Sequence, residues 1–178
     1  MALAMLIRPE VPSDFSEVYR FVKKAFASAN VKDGSEQDFV EKLRAGAGYL
    51  PDLALVAEEA GRLVGYVMLT RIFAVEGTTR FPLLLLAPLA IAEEERNRGK
   101  GAFLAEKALQ RAAELGEEAV VLVGDPHFYN RLGFSELGGF GLKCNMEIPA
   151  RYVLAKELVP GILKDVHGIC LLYTSPSP

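Results

Sequence analysis

Apolar and polar positions along this chain follow two periods in turn, and the switches between them mark out a mixed α/β fold. Leu6-Ile7-Arg8 reads as a short strand ended by Pro9. Ser13-Asp14 then offers an N-cap to a helix in which Phe15, Val18, Tyr19, Val22 and Phe26 recur at helical spacing. A second helix is predicted from about Ser35 to Arg44, with Phe39, Val40 and Leu43 on one face. Residues 53–59 and 63–75 read as strands joined by the turn Ala60-Gly61-Arg62, an antiparallel hairpin. A fourth strand runs from Phe81 to Ile91. The helix after Gly101 carries Phe103, Leu104, Ala108, Leu109, Ala112 and Leu115 and stops at Gly116.

Ala119–Val123 is wholly apolar, as in a strand buried on both faces. Asp125 and Pro126 suit the N-cap and first position of a short helix, which Gly133 ends. Phe134 to Ile148 reads as one or two further strands, broken by Gly138, Gly139 and Gly141. The tail Leu171 to Pro178 fits nothing before it and resembles a translated sequencing adaptor, so it is read as non-native. On that reading the last native strand begins near His167 and its partner residues are missing.

Composition narrows the class. The chain has 178 residues, 51% hydrophobic and 24% charged, which suits one globular domain over residues 5–170. A net charge of −3 gives no general basic footprint, so nucleic acid is not expected as a partner. MALAMLIRP is apolar for too short a run to be a signal-peptide core, and no stretch matches a membrane span; cytoplasm is the expected location. Cys144 and Cys170 suggest free thiols, and two histidines with two cysteines offer no metal-ligand spacing, so no metal is expected. Cys144 has no histidine near it in sequence and reads as a buried structural thiol rather than a nucleophile.

The candidate chemistry lies at Ala87–Leu109. There an apolar strand delivers Arg96-Asn97-Arg98-Gly99-Lys100-Gly101 to a helix N-terminus. Such a loop can converge its N–H groups on an anion, and the helix dipole adds roughly half a positive charge there. It lacks GxxxxGK[ST], which excludes a P-loop, and GxGxxG, which excludes a flavin or nicotinamide fingerprint. The phosphate it suits is one held mainly by backbone.

The stretch RNRGKGAFL (Arg96–Leu104) resembles the acetyl-CoA pyrophosphate loop of the GNAT N-acetyltransferases, Q/R-x-x-G-x-G/A. FYNRLGF (Phe128–Phe134) resembles their second signature, and GDPHFYNRLGF followed by FGLKC is similar to the small YhbS-type subgroup. The resemblance implies a GNAT fold: a mixed, mostly antiparallel twisted sheet of about six to seven strands with helices on both faces, splayed between the fourth and fifth. It implies acetyl-CoA as cosubstrate and a small-molecule or peptide amine as acceptor, acetylated by direct attack on the thioester. The implied cofactor-binding residues are Leu89, Ala90 and Ile91 on the strand and Arg96, Asn97, Arg98, Gly99, Lys100 and Gly101 on the loop.

Within that set, the Leu89 and Ile91 N–H groups point the same way by strand alternation, and Pro88 would break the ladder where the strands splay. Arg96 is expected to reach the pyrophosphate, whereas the Lys100 side chain is expected in solvent. Tyr129 is the implied proton donor to the departing thiolate, and His127 reads as an exposed first-turn residue. The strand Leu83 to Ala92 carries no Asp or Glu to act as base. Glu58, Glu59, Glu93, Glu94, Glu95, Asp125, a water chain and a backbone carbonyl all remain open for that role. The missing glutamate leaves a rival reading, a non-catalytic acyl-CoA-binding module. A homodimer is the assembly to test, and a membrane is not an expected partner.

Overall fold

The computed structural model describes residues 5–28 and 34–172. These divide into two compact units: one runs up to Thr70 and takes in Ala87–Arg111, the other comprises Arg71–Leu86 and the chain from Ala112 onward. Nine strands and four α-helices are formed among the described residues.

The first unit holds β1 (Leu6–Pro9), β2 (Ala54–Glu59), the first part of β3 (Arg62–Glu76) and the last part of β4 (Thr79–Ile91). Its helices are α1 (Phe15–Ala27), α2 (Glu36–Ala45) and most of α3 (Lys100–Glu114). β1 lies antiparallel to β2, pairing Leu6 with Glu58 through to Pro9 with Leu55. β2 lies antiparallel to β3, from Ala54–Met68 to Glu59–Arg62. Their tight turn places Ala60 and Gly61 at φ of 51° and 76°, the left-handed pair a two-residue hairpin demands.

Period-two alternation sends Ala54, Val56, Tyr66 and Met68 to the face that packs against Val18 and Val22 of α1 and Val40 of α2. The other face receives α3. There Gly65 leaves the room that Leu104 and Ile91 occupy: a Cβ on it would lie 2.9 Å from Leu104 Cδ2 and 3.0 Å from Ile91 Cδ1. Helices on both faces follow from that one alternation.

The second unit contains the parallel pair β4–β5, with Leu84 opposite Val120 and Leu85 opposite Val121. β5 (Ala119–Val123) has the boundaries that its apolar run predicts, and its first four residues are buried. α4 spans Pro126–Tyr129. β8 (Val153–Glu157) pairs antiparallel along the whole of β5 and also takes β6 (Ser135–Glu136). β7 (Leu142–Cys144) runs parallel to β9 (Gly168–Leu171), which pairs antiparallel with the end of β3.

Three expectations change. Nine strands form among the described residues rather than six or seven, with β8 lying where the sequence pattern was too short to register. The partners of the last strand are present, since Cys170 lies opposite both Ala74 and Cys144. Cys144 is only half-buried, with its thiol donating to the Met146 carbonyl at 3.3 Å; Cys170 is the buried one. Residues 173–178 of the tail read as non-native lie outside the described residues.

Candidate functional site

The loop between β4 and α3 is built by steps that can each be traced. β4 ends in Leu89, Ala90 and Ile91, with Ala90 buried and its neighbours half-buried. The Ala92 N–H donates to the Val64 carbonyl at 3.0 Å, carrying the pairing with β3 one residue past the strand. A single 3-10 turn over Glu93–Glu95 follows, closed by the Arg96 N–H on the Glu93 carbonyl at 3.2 Å. Asn97 and Gly99 then adopt left-handed φ of 63° and 76°. A Cβ on Gly99 would meet nothing within 4 Å, so glycine is favoured there by backbone conformation and not by crowding.

The first rung of α3 is the Phe103 N–H on the Gly99 carbonyl at 3.0 Å. The N–H groups of Lys100, Gly101 and Ala102 therefore have no acceptor within the helix. Three such donors at a helix N-terminus, beside exposed Asn97 and Arg98, are an arrangement that can cradle an anion.

The loop's other two cations are occupied elsewhere. Arg96 donates through Nη1 to the Ser28 hydroxyl at 3.1 Å and through Nη2 to the Ala25 carbonyl. Both acceptors lie at the C-terminal end of α1, where the helix dipole favours a cation. Lys100 is not in solvent either, its side chain being only 13% exposed. Its Nζ donates to Glu59 Oε1 at 2.7 Å and to Glu95 Oε1.

Glu95, tucked under the loop, also lies 3.4 Å from an Arg98 Nη1 and 3.7 Å from an Arg62 Nη2. The Lys100 ammonium, aided by these arginines, holds the Glu95 carboxyl below the usual carboxylate range. Glu59 and then Glu95 raise the Lys100 ammonium in return.

Glu93 and Glu94 line a cleft of about 370 Å³ together with Gly61, Arg62 and the α1 residues Glu17, Arg20 and Lys24. Of the other carboxylates open for a base, Glu58 accepts from Arg8 Nε at 2.9 Å. Asp125 accepts from the His127 N–H at 2.9 Å, the N-cap its position predicts. His127 is exposed.

In the second unit, α4 presents Tyr129. Its ring meets Phe128 and Phe134 edge-to-face, with centroids 4.8 Å and 5.7 Å away. Burial pushes its phenol above the usual tyrosine range, and the Asp125 carboxylate adds to the rise.

Two polar clusters escape sequence reasoning. The Lys100–Glu59 contact joins residues 41 apart, which no spacing announces. The other centres on Glu10, whose side chain is fully buried. It accepts from Arg44 Nε and Nη2 at 3.0 and 2.9 Å, from the Tyr49 hydroxyl at 2.7 Å and from the Tyr66 hydroxyl at 3.0 Å.

The family model of the acetyltransferase (GNAT) domain matches residues 7–137. The chain belongs to the GNAT acetyltransferase family. It is 34% identical over 166 residues to the uncharacterized N-acetyltransferase YhbS of Escherichia coli strain K12, covering 93% of this chain and 94% of that protein. It is 29% identical over 146 residues to YjhQ of the same strain, another uncharacterized N-acetyltransferase, covering 82% and 75%.

Among solved structures, the GNAT family N-acetyltransferase YhbS from Escherichia coli, in complex with CoA, superposes with a TM-score of 0.84 at 29% identity, covering 96% of this chain and 90% of that one. A GNAT family acetyltransferase from Brucella melitensis, in complex with acetyl-CoA, shares the fold with a TM-score of 0.77 at 23% identity over 97% and 98%. The cradle at the start of α3 thus belongs to a GNAT domain. No helix among the described residues is long and apolar enough to cross a membrane.

Proposed function

We propose that this protein is an acetyl-CoA-dependent N-acetyltransferase that acetylates a primary amine of a small molecule or a peptide. The observation that carries the reading is the row of orphan N–H groups from Lys100 to Ala102 behind the left-handed residues Asn97 and Gly99. Such a row suits a pyrophosphate held by backbone. The CoA and acetyl-CoA bound to the YhbS and Brucella proteins supply the matching ligand class.

In the proposed reaction the acceptor nitrogen attacks the thioester carbonyl carbon, forming the C–N bond. The oxyanion is held by a β4 N–H, at Leu89 or Ile91, a preorganised donor of the kind that stabilises developing charge. Collapse breaks the C–S bond, and the Tyr129 hydroxyl gives its proton to the departing CoA thiolate. The nitrogen attacks as the free amine, and the proton it sheds after attack passes to water, because β4 carries no carboxylate; solvent then reprotonates the Tyr129 phenolate. Arg98, Asn97 and Gly101 complete the loop half of the site. The Arg96 and Lys100 side chains act in this reading by holding the loop, while the Lys100 N–H faces phosphate with the rest of the row.

That missing carboxylate also supports the second reading, a module that binds acyl-CoA without catalysis. One experiment separates them: release of free CoA thiol is followed with acetyl-CoA and a panel containing spermidine, lysine, glucosamine and a peptide with a free α-amine. Turnover on any amine supports the enzyme. Tight CoA binding with no turnover supports the module, and no CoA binding at sub-millimolar ligand overturns both. The enzyme reading carries a cytoplasmic location with it, and the homodimer is tested by light scattering.

A further inference from the structure

We infer that Gly124 is a positioning residue for Tyr129, an inference that rests on reading Tyr129 as the proton donor. Gly124 connects β5 to α4, and its φ is not left-handed, so backbone conformation does not call for glycine there. Space does. A Cβ at Gly124 would lie 2.6 Å from Tyr129 Cε2, 3.0 Å from Tyr129 Cδ2 and 3.2 Å from Leu122 Cδ1.

The missing side chain is therefore the seat of the phenol ring's edge. Neither side of this contact yields easily. The Gly124 N–H is anchored on the Tyr152 carbonyl at 2.9 Å, and the ring is held by Phe128 and Phe134.

A methyl group at Gly124 would force the ring atom at 2.6 Å back by roughly 0.8 Å, to the 3.4 Å at which ordinary contact begins. The edge displaced is the one next to the carbon that bears the hydroxyl, so the hydroxyl moves with it. A misplacement of about 1 Å at a reacting group can cost about 100-fold in rate. Gly124 would thus set where the proton is delivered without touching substrate.

The test is a double-mutant cycle in the full chain, with acetyl-CoA and the amine from the panel above that turns over fastest. Gly124→Ala should lower kcat by roughly 10- to 100-fold, with KM for acetyl-CoA held within about twofold. In a Tyr129→Phe background the same change should alter kcat by less than about twofold. Equal losses in both backgrounds would overturn the inference, since damage unrelated to the phenol does not depend on the hydroxyl. Full kcat in Gly124→Ala, with Tyr129→Phe impaired, would also overturn it while leaving Tyr129 as the donor. An unimpaired Tyr129→Phe would instead remove the donor reading, and the inference with it.

Should Gly124→Ala fail to fold, Phe134→Leu removes an edge-to-face partner of the same ring and should show the same dependence on Tyr129. A readout free of any acceptor is the alkaline absorbance titration of Tyr129, taken as wild type minus Tyr129→Phe. Gly124→Ala should shift it toward the ordinary tyrosine value, and an unshifted curve counts against the seat.

Discussion

Lys100 Nζ sits 2.7 Å from Glu59 Oε1, tying the first residue of α3 to the last residue of β2. The same ammonium reaches Glu95 under the loop, so the cradle is braced from below by a carboxylate, an ammonium and a second carboxylate. A brace and a phosphate ligand make opposite predictions. If Lys100 is a brace, Lys100→Met and Glu59→Gln should both weaken CoA binding, by roughly three- to tenfold, as expected for losing about 1 kcal/mol. If the ammonium served phosphate, Glu59→Gln would free it and tighten binding. Isothermal titration calorimetry with CoA decides between them.

Gly99 gives the cleanest test of the cradle. Its φ of 76° is costly for a side chain, yet a Cβ there has open space around it. Gly99→Ala should therefore act through conformation alone, at about 1–2 kcal/mol, weakening CoA binding by about tenfold. Asn visits the left-handed region more readily than Ala, so Gly99→Asn should recover part of that loss. Equal affinities for both variants and wild type would mean that the ligand does not use this loop.

For Tyr129 the sign of the pH effect follows from burial, which raises its phenol above the ordinary value of about 10. A proton donor works while protonated. The rate should thus hold through neutral and mildly alkaline pH and fall only beyond that ordinary value. Tyr129→Phe should lower kcat by roughly 100- to 10,000-fold, the usual worth of a positioned acid, with little change in CoA affinity, and should abolish the alkaline limb. A wild-type limb near neutrality would assign the titration to another group.

Much of this was legible in the chain. The apolar runs within Ala54–Glu59 and Arg62–Glu76, the apolar block Ala119–Val123 and the cap Asp125-Pro126 each carry their own local signal, and the structure follows them. The loop was legible for the same reason, since Gly99 must be a residue that tolerates positive φ. The Arg96 and Lys100 contacts were not legible, because a sequence reveals that a cation stands beside a phosphate loop, not which acceptors the fold brings to it. The α1 carbonyl at Ala25 and the Glu59 carboxylate are brought there by the fold. β8 was missed because Val153–Glu157 offers only three buried apolar residues before Lys156, too few for a period.

Glu10 was invisible for a related reason, and it carries the last prediction. A single glutamate after a strand reads as surface, yet it is fully buried where Arg44, Tyr49 and Tyr66 converge. Removing one partner of a buried pair strands the other, at about 3–5 kcal/mol. Glu10→Ala should cost that much in urea unfolding, and Arg44→Met a similar amount. The double variant should cost less than their sum, because no lone charge is then left.

The tyrosines add a pH signature. Burial, with the Glu10 carboxylate, raises both phenols above their ordinary range. The folded state therefore keeps protons that the unfolded chain releases from about pH 10 upward. The stability tied to these phenols is fully present below that pH and declines as the pH climbs past it. Tyr66→Phe should flatten the decline while lowering stability at neutral pH, since Glu10 loses a donor. A decline of unchanged steepness in Tyr66→Phe would show that other groups govern alkaline unfolding.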